Sequence, residues 1–360
     1  MVFPARRVTR TVNIGGVKVG HGEPVVIQSM TNTRTADYIS TLEQIKSLHQ
    51  SGCELIRVAV PDKEAAEALE YIVRESPIPV IADIHFDLGL AHLAIEKGAA
   101  KVRINPGNAG GEEKMFELAE KARSFGVPVR IGVNAGSLDR EIALKYGGAT
   151  PEALAGSASN YAAALDKAGF KDVVVSIKAS DVYTTICANR LFAEKNDNPL
   201  HLGVTEAGTP GQGVIKNAIG IGTLLAEGIG DTVRVSLTAP PEEEIKAARS
   251  ILQSLGLRVF GPEIISCPTC GRCEIDLIAL AEKVEAMLND YTMPVRVAVM
   301  GCAVNGPGEA READLGIAAG KKEGILFKKG KVVKTVSEDK VLDTIREELA
   351  LFKRENDHVS

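Results

Sequence analysis

No apolar run in this chain approaches the roughly 18 residues that a membrane-spanning helix needs. The opening stretch, MVFPARRVTRTVNIGG, carries charge but no apolar segment, so it does not read as a secretory signal. There is no basic excess either. Lys and Arg number 42 against 47 Asp and Glu, and the formal net charge is −5. Binding nucleic acid non-specifically needs a basic surface for phosphate contacts, so the charge argues against that class, although it leaves room for a locally basic pocket. No low-complexity tract or block of like charge appears, and the last residues, KRENDHVS, read as a frayed tail. Six cysteines in 360 residues without a secretory signal point to a reducing compartment, here expected to be the cytoplasm, and to metal binding or catalysis.

Four of those cysteines are concentrated between Ile264 and Glu309. Cys267, Cys270 and Cys273 form C-x-x-C-x-x-C, and Cys302 sits in a Gly-rich loop directly after a strand-like run. Close spacing followed by a distant return is how a chain wraps a soft metal centre. The opening matches a ferredoxin-type iron–sulfur run. Zinc usually takes two separated C-x-x-C pairs and only one is present, but spacing alone leaves zinc, or thiols with no metal, open. Cys53 and Cys187 stand alone and are expected as small core residues.

From residue 25 onward one theme repeats. A short β-branched run leads into turn residues and then a helical pattern. The runs span 25–30, 55–60, 79–84, 101–106, 128–134, 172–180, 200–208 and 232–238, and several of the intervening helical patterns end in Gly. Eight strand–helix units in about 230 residues predict a parallel (β/α)8 barrel. A doubly wound sheet would want G-x-G-x-x-G after the first strand, and that turn lacks it. The glycines of GIGTLLAEG (220–228) are expected to serve packing. The RTVNIGGVKVGHG segment reads as a hairpin turning at Gly15-Gly16 and closing the barrel floor. After a last helix in PPEEEIKAARSILQSLG the pattern changes. A barrel domain over 1–258 and a small α+β domain over 259–360 are expected, the latter with one helix over 274–289, strands near VRVAVMG, LGIAAG and GILFKKGKVVKTV, and a closing helix over 338–353.

Strands of a parallel sheet are normally apolar on both faces. These break that rule near their C-terminal ends, where barrel active sites are built. Arg57 interrupts LIRVAV. Asp83 shares a face with His85, Arg103 with Asn105, and Arg130 with Gly132 and Asn134. Lys178 lies between Ser176 and Ser180, Arg234 shares a face with Ser236 and Thr238, and Glu206 ends the seventh run. Arg57, Arg103, Arg130, Lys178 and Arg234 would converge on one mouth against Asp83 and Glu206, which suits a small diphosphate or bisphosphate. His85 and His201 are candidates for positioning or proton transfer, and Glu206 for acid–base work or for pairing with Lys178.

The assembled motifs resemble those of the 4-hydroxy-3-methylbut-2-enyl diphosphate synthase family of the methylerythritol phosphate route, over nearly the whole chain. They run from VVIQSMTNTRTAD through LIRVAVP, IADIHFD, VRINPGN, VRIGVNAGSLD, HLGVTEAG and GIGDTVRVSLTA to SCPTCGR and GCAVNGPGEA. The chain lacks the long insert of the plant-type enzyme. The resemblance implies reductive ring opening of 2-C-methyl-D-erythritol 2,4-cyclodiphosphate, a cyclic diphosphate, with electrons from flavodoxin or ferredoxin through a [4Fe–4S] cluster. It implies Cys267, Cys270, Cys302 and Glu309 as cluster ligands, with Cys273 outside the set, which departs from an all-cysteine reading of the spacing. It implies Arg57, Arg103, Asn105, Arg130, Lys178, Arg234 and Ser236 at the diphosphate, and Asp83, Asn134 and Glu206 beside the reacting carbon. His85 and His201 complete the expected substrate-binding set. A homodimer is implied too, the cluster domain of one chain facing the barrel of the other. Two other readings stand beside it: an electron-transfer protein whose barrel is a scaffold, and a zinc-stapled barrel enzyme of aldolase or pteroate-synthase type.

Overall fold

The computed structural model describes residues 5–85, 87–105, 112–273, 275–302, 308, 310–320 and 322–357. The chain divides into two compact units, Met1–Arg258 and Val259–Ser360. No helix among the described residues is long and apolar enough to cross a membrane.

The first unit opens with a hairpin, β1 (Val12–Ile14) and β2 (Val17–Val19), that turns through Gly15 and Gly16, both at positive φ. Its buried face (Val12, Ile14, Val19) packs on Val26, Leu55, Ile81 and Val174 from four different strands. Those four residues therefore point inward, and the hairpin is a plug in the barrel floor. Eight parallel strands follow: β3 (Val26–Met30), β4 (Leu55–Ala59), β5 (Val80–Ile84), β6 (Lys101–Ile104), β7 (Val129–Asn134), β8 (Val173–Lys178), β9 (His201–Leu202) and β10 (Thr232–Val233). Their order is β8-β7-β6-β5-β4-β3-β10-β9, and an isolated parallel bridge between Val175 and Leu200 brings the two ends together. Helices alternate with the strands, and Asp or Thr side chains cap several of them: Asp37, Asp62, Asp87, Asp139, Thr150 and Asp181 each accept from a first-turn N–H.

The last two barrel strands are shorter than the sequence suggests. They pair for only two residues, because Asn217 from the helix Pro210–Ala226 takes over the ladder. Its buried amide oxygen accepts from Val204 N–H at 3.4 Å, and its NH2 donates to Ser236 O at 3.1 Å and Gly213 O at 2.8 Å. Gly220, in the GIGTLLAEG run, lies where a Cβ would stand 2.6 Å from Val204, so that glycine serves helix–barrel packing as expected.

The second unit is a five-stranded mixed sheet, β11-β12-β13-β14-β15, with the first three strands parallel and the rest antiparallel. These are Glu263–Ser266, Arg296–Met300, Leu315–Ala319, Glu323–Lys328 and Lys331–Ser337. The helices Leu277–Leu288 and Val341–Asp357 share a core with the sheet, through Leu277, Val284, Val297, Ile317 and Leu349. Strand β11 was not legible, since four residues next to a cysteine run give too short an alternation. The first helix starts at Leu277 rather than 274 because Asp276 caps it, accepting from Ala279 N–H at 3.1 Å.

Because Ile14 is fully buried at the centre of the floor plug, Ile14→Ala should cost about 2–4 kcal/mol. Urea unfolding followed by a probe in the barrel should move to lower midpoint, while a probe in Val259–Ser360 stays where it was.

Candidate functional site

The inward-facing positions of the barrel follow from the floor contacts and the strand register. Counting up from Leu55, Ile81 and Val174 in steps of two reaches Arg57, Asp83 and Ser176, then Lys178. Arg103 pairs in register with Asp83 and with Arg130, and Gly132 with Ser176. Six basic side chains share this interior: Arg57, Lys101, Arg103, Arg130, Lys178 and Arg234. Arg130 and Lys101 are the largest fully buried side chains in the molecule's described part.

Among the described residues two carboxylates answer them. Asp83 accepts from Arg103 Nη1 at 3.0 Å and lies 3.8 Å from Arg57 Nε and 3.5 Å from His85 Nε2. Burial opposes its ionisation, but Arg57, His85, Arg103 and Arg130 outweigh that and hold its carboxyl well below the usual carboxylate range. Glu244 is the second. It pairs with Arg234 Nη2 at 3.1 Å and accepts from Leu237 N–H at 3.0 Å and from the Ser29 hydroxyl at 3.4 Å. Arg234 also donates to Ser236 Oγ at 2.7 Å. Lys178 makes no hydrogen bond or ion pair among the described residues. Burial first, then Arg130, Arg57, Arg234 and Arg103, push its amine well below its ordinary value. Among the described residues Arg130 Nε and Nη1 have no hydrogen-bond acceptor, and neither do Nε of Arg57, Arg103 and Arg234. A set of N–H donors that face one space without acceptors is built for an anion that brings its own oxygens.

Two glycines make the arrangement possible. A Cβ at Gly132 would stand 2.6 Å from Arg103 Nε, and one at Gly203 would stand 2.6 Å from Lys178 Nζ and from Arg234 O. The cations therefore lie in the space that neighbouring side chains give up.

The expected residues are not equally placed. Asn134, at the end of β7, accepts from Arg103 Nη2 at 3.3 Å when its amide oxygen faces the guanidinium. Asn105 donates to Ser137 Oγ. His85 is half-exposed and sits on Arg103 Nη1 at 3.1 Å. His201 is not at the mouth. It lies one step below Gly203, fully buried, with Nδ1 2.7 Å from Thr232 Oγ1 and Nε2 without a partner, because β9 begins there. Glu206 does not pair with Lys178 in the structure. It is exposed, with its backbone in the left-handed region at φ 54°. Glu309 lies outside the described residues.

In the second unit β11 and β12 run parallel, Ser266 beside Val299, so Cys267 and Cys302 leave adjacent strand ends. Gly301 N–H donates to Cys267 Sγ at 3.4 Å. All four thiols are free of disulfides, and Cys270 is exposed on the turn between them. Cys273 faces inward instead. Its Sγ donates to Ile275 O at 3.3 Å, it packs on the core around Leu277, and a Cβ at Gly301 would stand 2.7 Å from it. Among the described residues no three His, Cys, Asp or Glu side chains stand close enough to hold a metal as placed. The donor chemistry nonetheless fits a soft centre: reduced thiols at neighbouring strand ends, one of them already accepting a backbone N–H, as cluster sulfurs do. Cys53 is in the core as expected, and burial pushes its thiol up to about 12. Cys187 is only half-buried.

Profiles of known families cover both units: the GcpE TIM-barrel domain matches residues 9–249, and the GcpE protein C-terminal domain matches residues 263–351. The chain belongs to the GcpE family. Relatives named 4-hydroxy-3-methylbut-2-en-1-yl diphosphate synthase (flavodoxin) include one from Caldanaerobacter subterraneus, 54% identical over 97% of this chain and 99% of its own length. Another, from Persephonella marina, is 55% identical over 96% of this chain and 98% of its own. Among solved structures, dihydropteroate synthase of Yersinia pestis aligns with a TM-score of 0.50 at 12% identity, covering 68% of this chain and 98% of that one. Type I 3-dehydroquinate dehydratase of Clostridium difficile aligns with a TM-score of 0.50 at 15% identity, covering 69% and 98%. These two bear on the barrel fold alone.

Two groups in this GcpE barrel went unread in the sequence. Lys101 occupies the inward position two residues before Arg103, a signal available from period two. Glu244 sits on the apolar stripe of the helix Pro241–Ser254, among Ile245, Ala248 and Ile251, and a charge on such a stripe is the signal that was there. Since the glycines leave room for the cations, Gly203→Ala should displace Lys178 and weaken diphosphate binding at least about tenfold, with the far-ultraviolet spectrum unchanged. Unaltered affinity, measured by calorimetry, would remove the close approach from the account.

Proposed function

We propose that the barrel mouth holds a cyclic diphosphate and that the second unit holds a [4Fe–4S] cluster on Cys267, Cys270, Cys302 and Glu309. The chain is an oxidoreductase of isoprenoid biosynthesis, a family member whose reaction is reductive ring opening of 2-C-methyl-D-erythritol 2,4-cyclodiphosphate to (E)-4-hydroxy-3-methylbut-2-enyl diphosphate. Two electrons and one proton convert the cyclic dianion into the linear trianion and water. The observation that carries the site assignment is the six-against-two imbalance of charge in the barrel, with guanidinium N–H groups lacking protein acceptors. An electron-transfer protein with an idle barrel has no use for that imbalance.

Arg57, Arg103, Asn105, Arg130, Lys178, Arg234 and Ser236 would bind the diphosphate. Charge on it rises by one as the carbon–oxygen bond breaks, and fixed cations favour that rise. Asp83, held ionised by its arginine neighbours, aims Arg103 and His85 and is not a proton donor. Asn134 steadies Arg103 from the other side. Glu206 is assigned to the reacting carbon together with Asp83 and Asn134, and its left-handed backbone supports a functional reason for the strain. When bound, the cluster supplies single electrons and a Lewis-acidic iron. Flavodoxin, which the relatives' names carry, would deliver the electrons, with ferredoxin as the other donor of the reading. Barrel cations and thiols lie in separate units, so the reading includes a cytoplasmic homodimer in which the cluster domain of one chain serves the barrel of the other.

Arg130→Ala and Lys178→Ala should each raise the substrate Kd at least about tenfold and leave cluster absorbance intact. Full binding by both variants would withdraw the site. Mixing Lys178→Ala with Cys302→Ser under proven subunit exchange should recover part of the activity, whereas no recovery would place both halves of the site in one chain.

Cys267→Ser, Cys270→Ser and Cys302→Ser should abolish cluster content and turnover together. Cys273→Ser should keep both near parent values, since its thiol bonds Ile275 O. Glu309→Ala should retain some cluster and lose most turnover, because a carboxylate is a hard, displaceable ligand on a soft centre. Iron content with a Cys273 requirement and no Glu309 effect would revive the all-cysteine set.

A further inference from the structure

Lys101 opens β6 and points into the barrel on the face it shares with Arg103, two residues or about 7 Å deeper along the strand. It is fully buried, and its Nζ has no acceptor among the described residues. Among the described residues the charged groups that face it are the guanidiniums of Arg57 on β4 and Arg130 on β7, with the imidazole of His201 on β9 and no carboxylate. Gln28, on β3, is likewise buried with neither amide atom partnered. The hairpin plug closes the space from below, so the mouth is the route by which solvent reaches this amine.

An ammonium group there would be desolvated, without an acceptor, and repelled by two fixed cations. Guanidinium groups hold their protons in proteins, so the amine is the group that yields. A dianion bound above it offsets the repulsion from those guanidiniums, so the ammonium form becomes the cheaper one. We propose that Lys101 is an uncharged amine while the mouth is empty and takes up one proton from solvent when the diphosphate binds. It is then a positioning residue that sets the charge of the barrel to match its occupant, and touches no reacting atom. Its nitrogen lone pair accepts the proton, and the buffer loses it. Lys178, at the mouth itself, titrates on its own account and is counted separately. The inference rests on the reading of the mouth as a diphosphate site.

The sign follows from linkage. If the complex holds one more proton than its free components, affinity falls by up to about tenfold for each unit of rising pH. The test is calorimetric titration of the anaerobic holoenzyme, without reductant, with the cyclodiphosphate at about pH 8, in buffers of different ionisation enthalpy. Both ring phosphates are already ionised there, so the ligand contributes no proton. Parent protein should take up about one proton more than Lys101→Met, and its affinity should fall more steeply with pH. Lys101→Gln is the second variant should Met not fold. Spectra of the parent labelled with 13Cε-lysine need no substitution: a buried resonance at the amine position in the empty protein should move to the ammonium position on saturation. Equal proton counts in parent and variant, or no amine resonance in the empty protein, overturn the proposal. Binding with no uptake overturns it and leaves the diphosphate site standing, whereas no binding by the parent overturns the site as well.

Discussion

Repulsion among buried cations is the condition that the rest of the first unit meets. Arg57, Lys101, Arg103, Arg130, Lys178 and Arg234 occupy one barrel with Asp83 and Glu244 as the carboxylates that answer them. Such an interior costs stability, and stability has to come from elsewhere. It comes from the outward faces of β3 to β8, where Ile27, Ile56, Val58, Val102 and Val175 are fully buried beneath the helices, and from the apolar plug beneath. Asp83 turns part of the repulsion into order by tying Arg57, Arg103 and His85 to one point. Glu244 does the same for Arg234, reaching in from the helix Pro241–Ser254 rather than from a strand.

The second unit solves a different problem with simpler means. Its four thiols are free of disulfides, and the fold sets them apart from one another. Parallel strands put Cys267 and Cys302 at neighbouring ends, and the backbone of Gly301 approaches closely enough to donate to one sulfur and to leave no space beside another. The outward exposure of Cys270 and inward packing of Cys273 separate two cysteines that the spacing alone presents as equivalents.

Much of this was legible because the period of a strand is two. Stepping by two from any polar residue near a strand end gave Asp83, Arg103, Asn105, Arg130, Asn134 and Lys178 without a structure. The same step taken backward from Arg103 gives Lys101, but a lysine at the first position of a run carries no sign that it faces inward. Glu244 hid among three consecutive glutamates at a helix N-terminus, where acidic residues need no explanation. His201 was set at the mouth because LHLGVTEAG reads as one long strand. Asn217 cuts that strand short, and no local pattern announces a helix side chain that replaces strand pairing. Glu206 looked like a partner for Lys178 on sign alone, but its left-handed turn carries it to the surface.

Gly132 and Gly203 have one more implication, for how such a barrel can change over generations. Each gives up volume that a neighbouring cation then fills, so the glycine and the cation form a single unit of inheritance. A larger residue at Gly203 meets both Lys178 Nζ and the backbone carbonyl of Arg234, and truncation of Lys178 leaves a void beside Gly203 that water or a new side chain must fill. A descendant that changes one member of the pair alone therefore starts from weakened binding, and recovers it by changing the other.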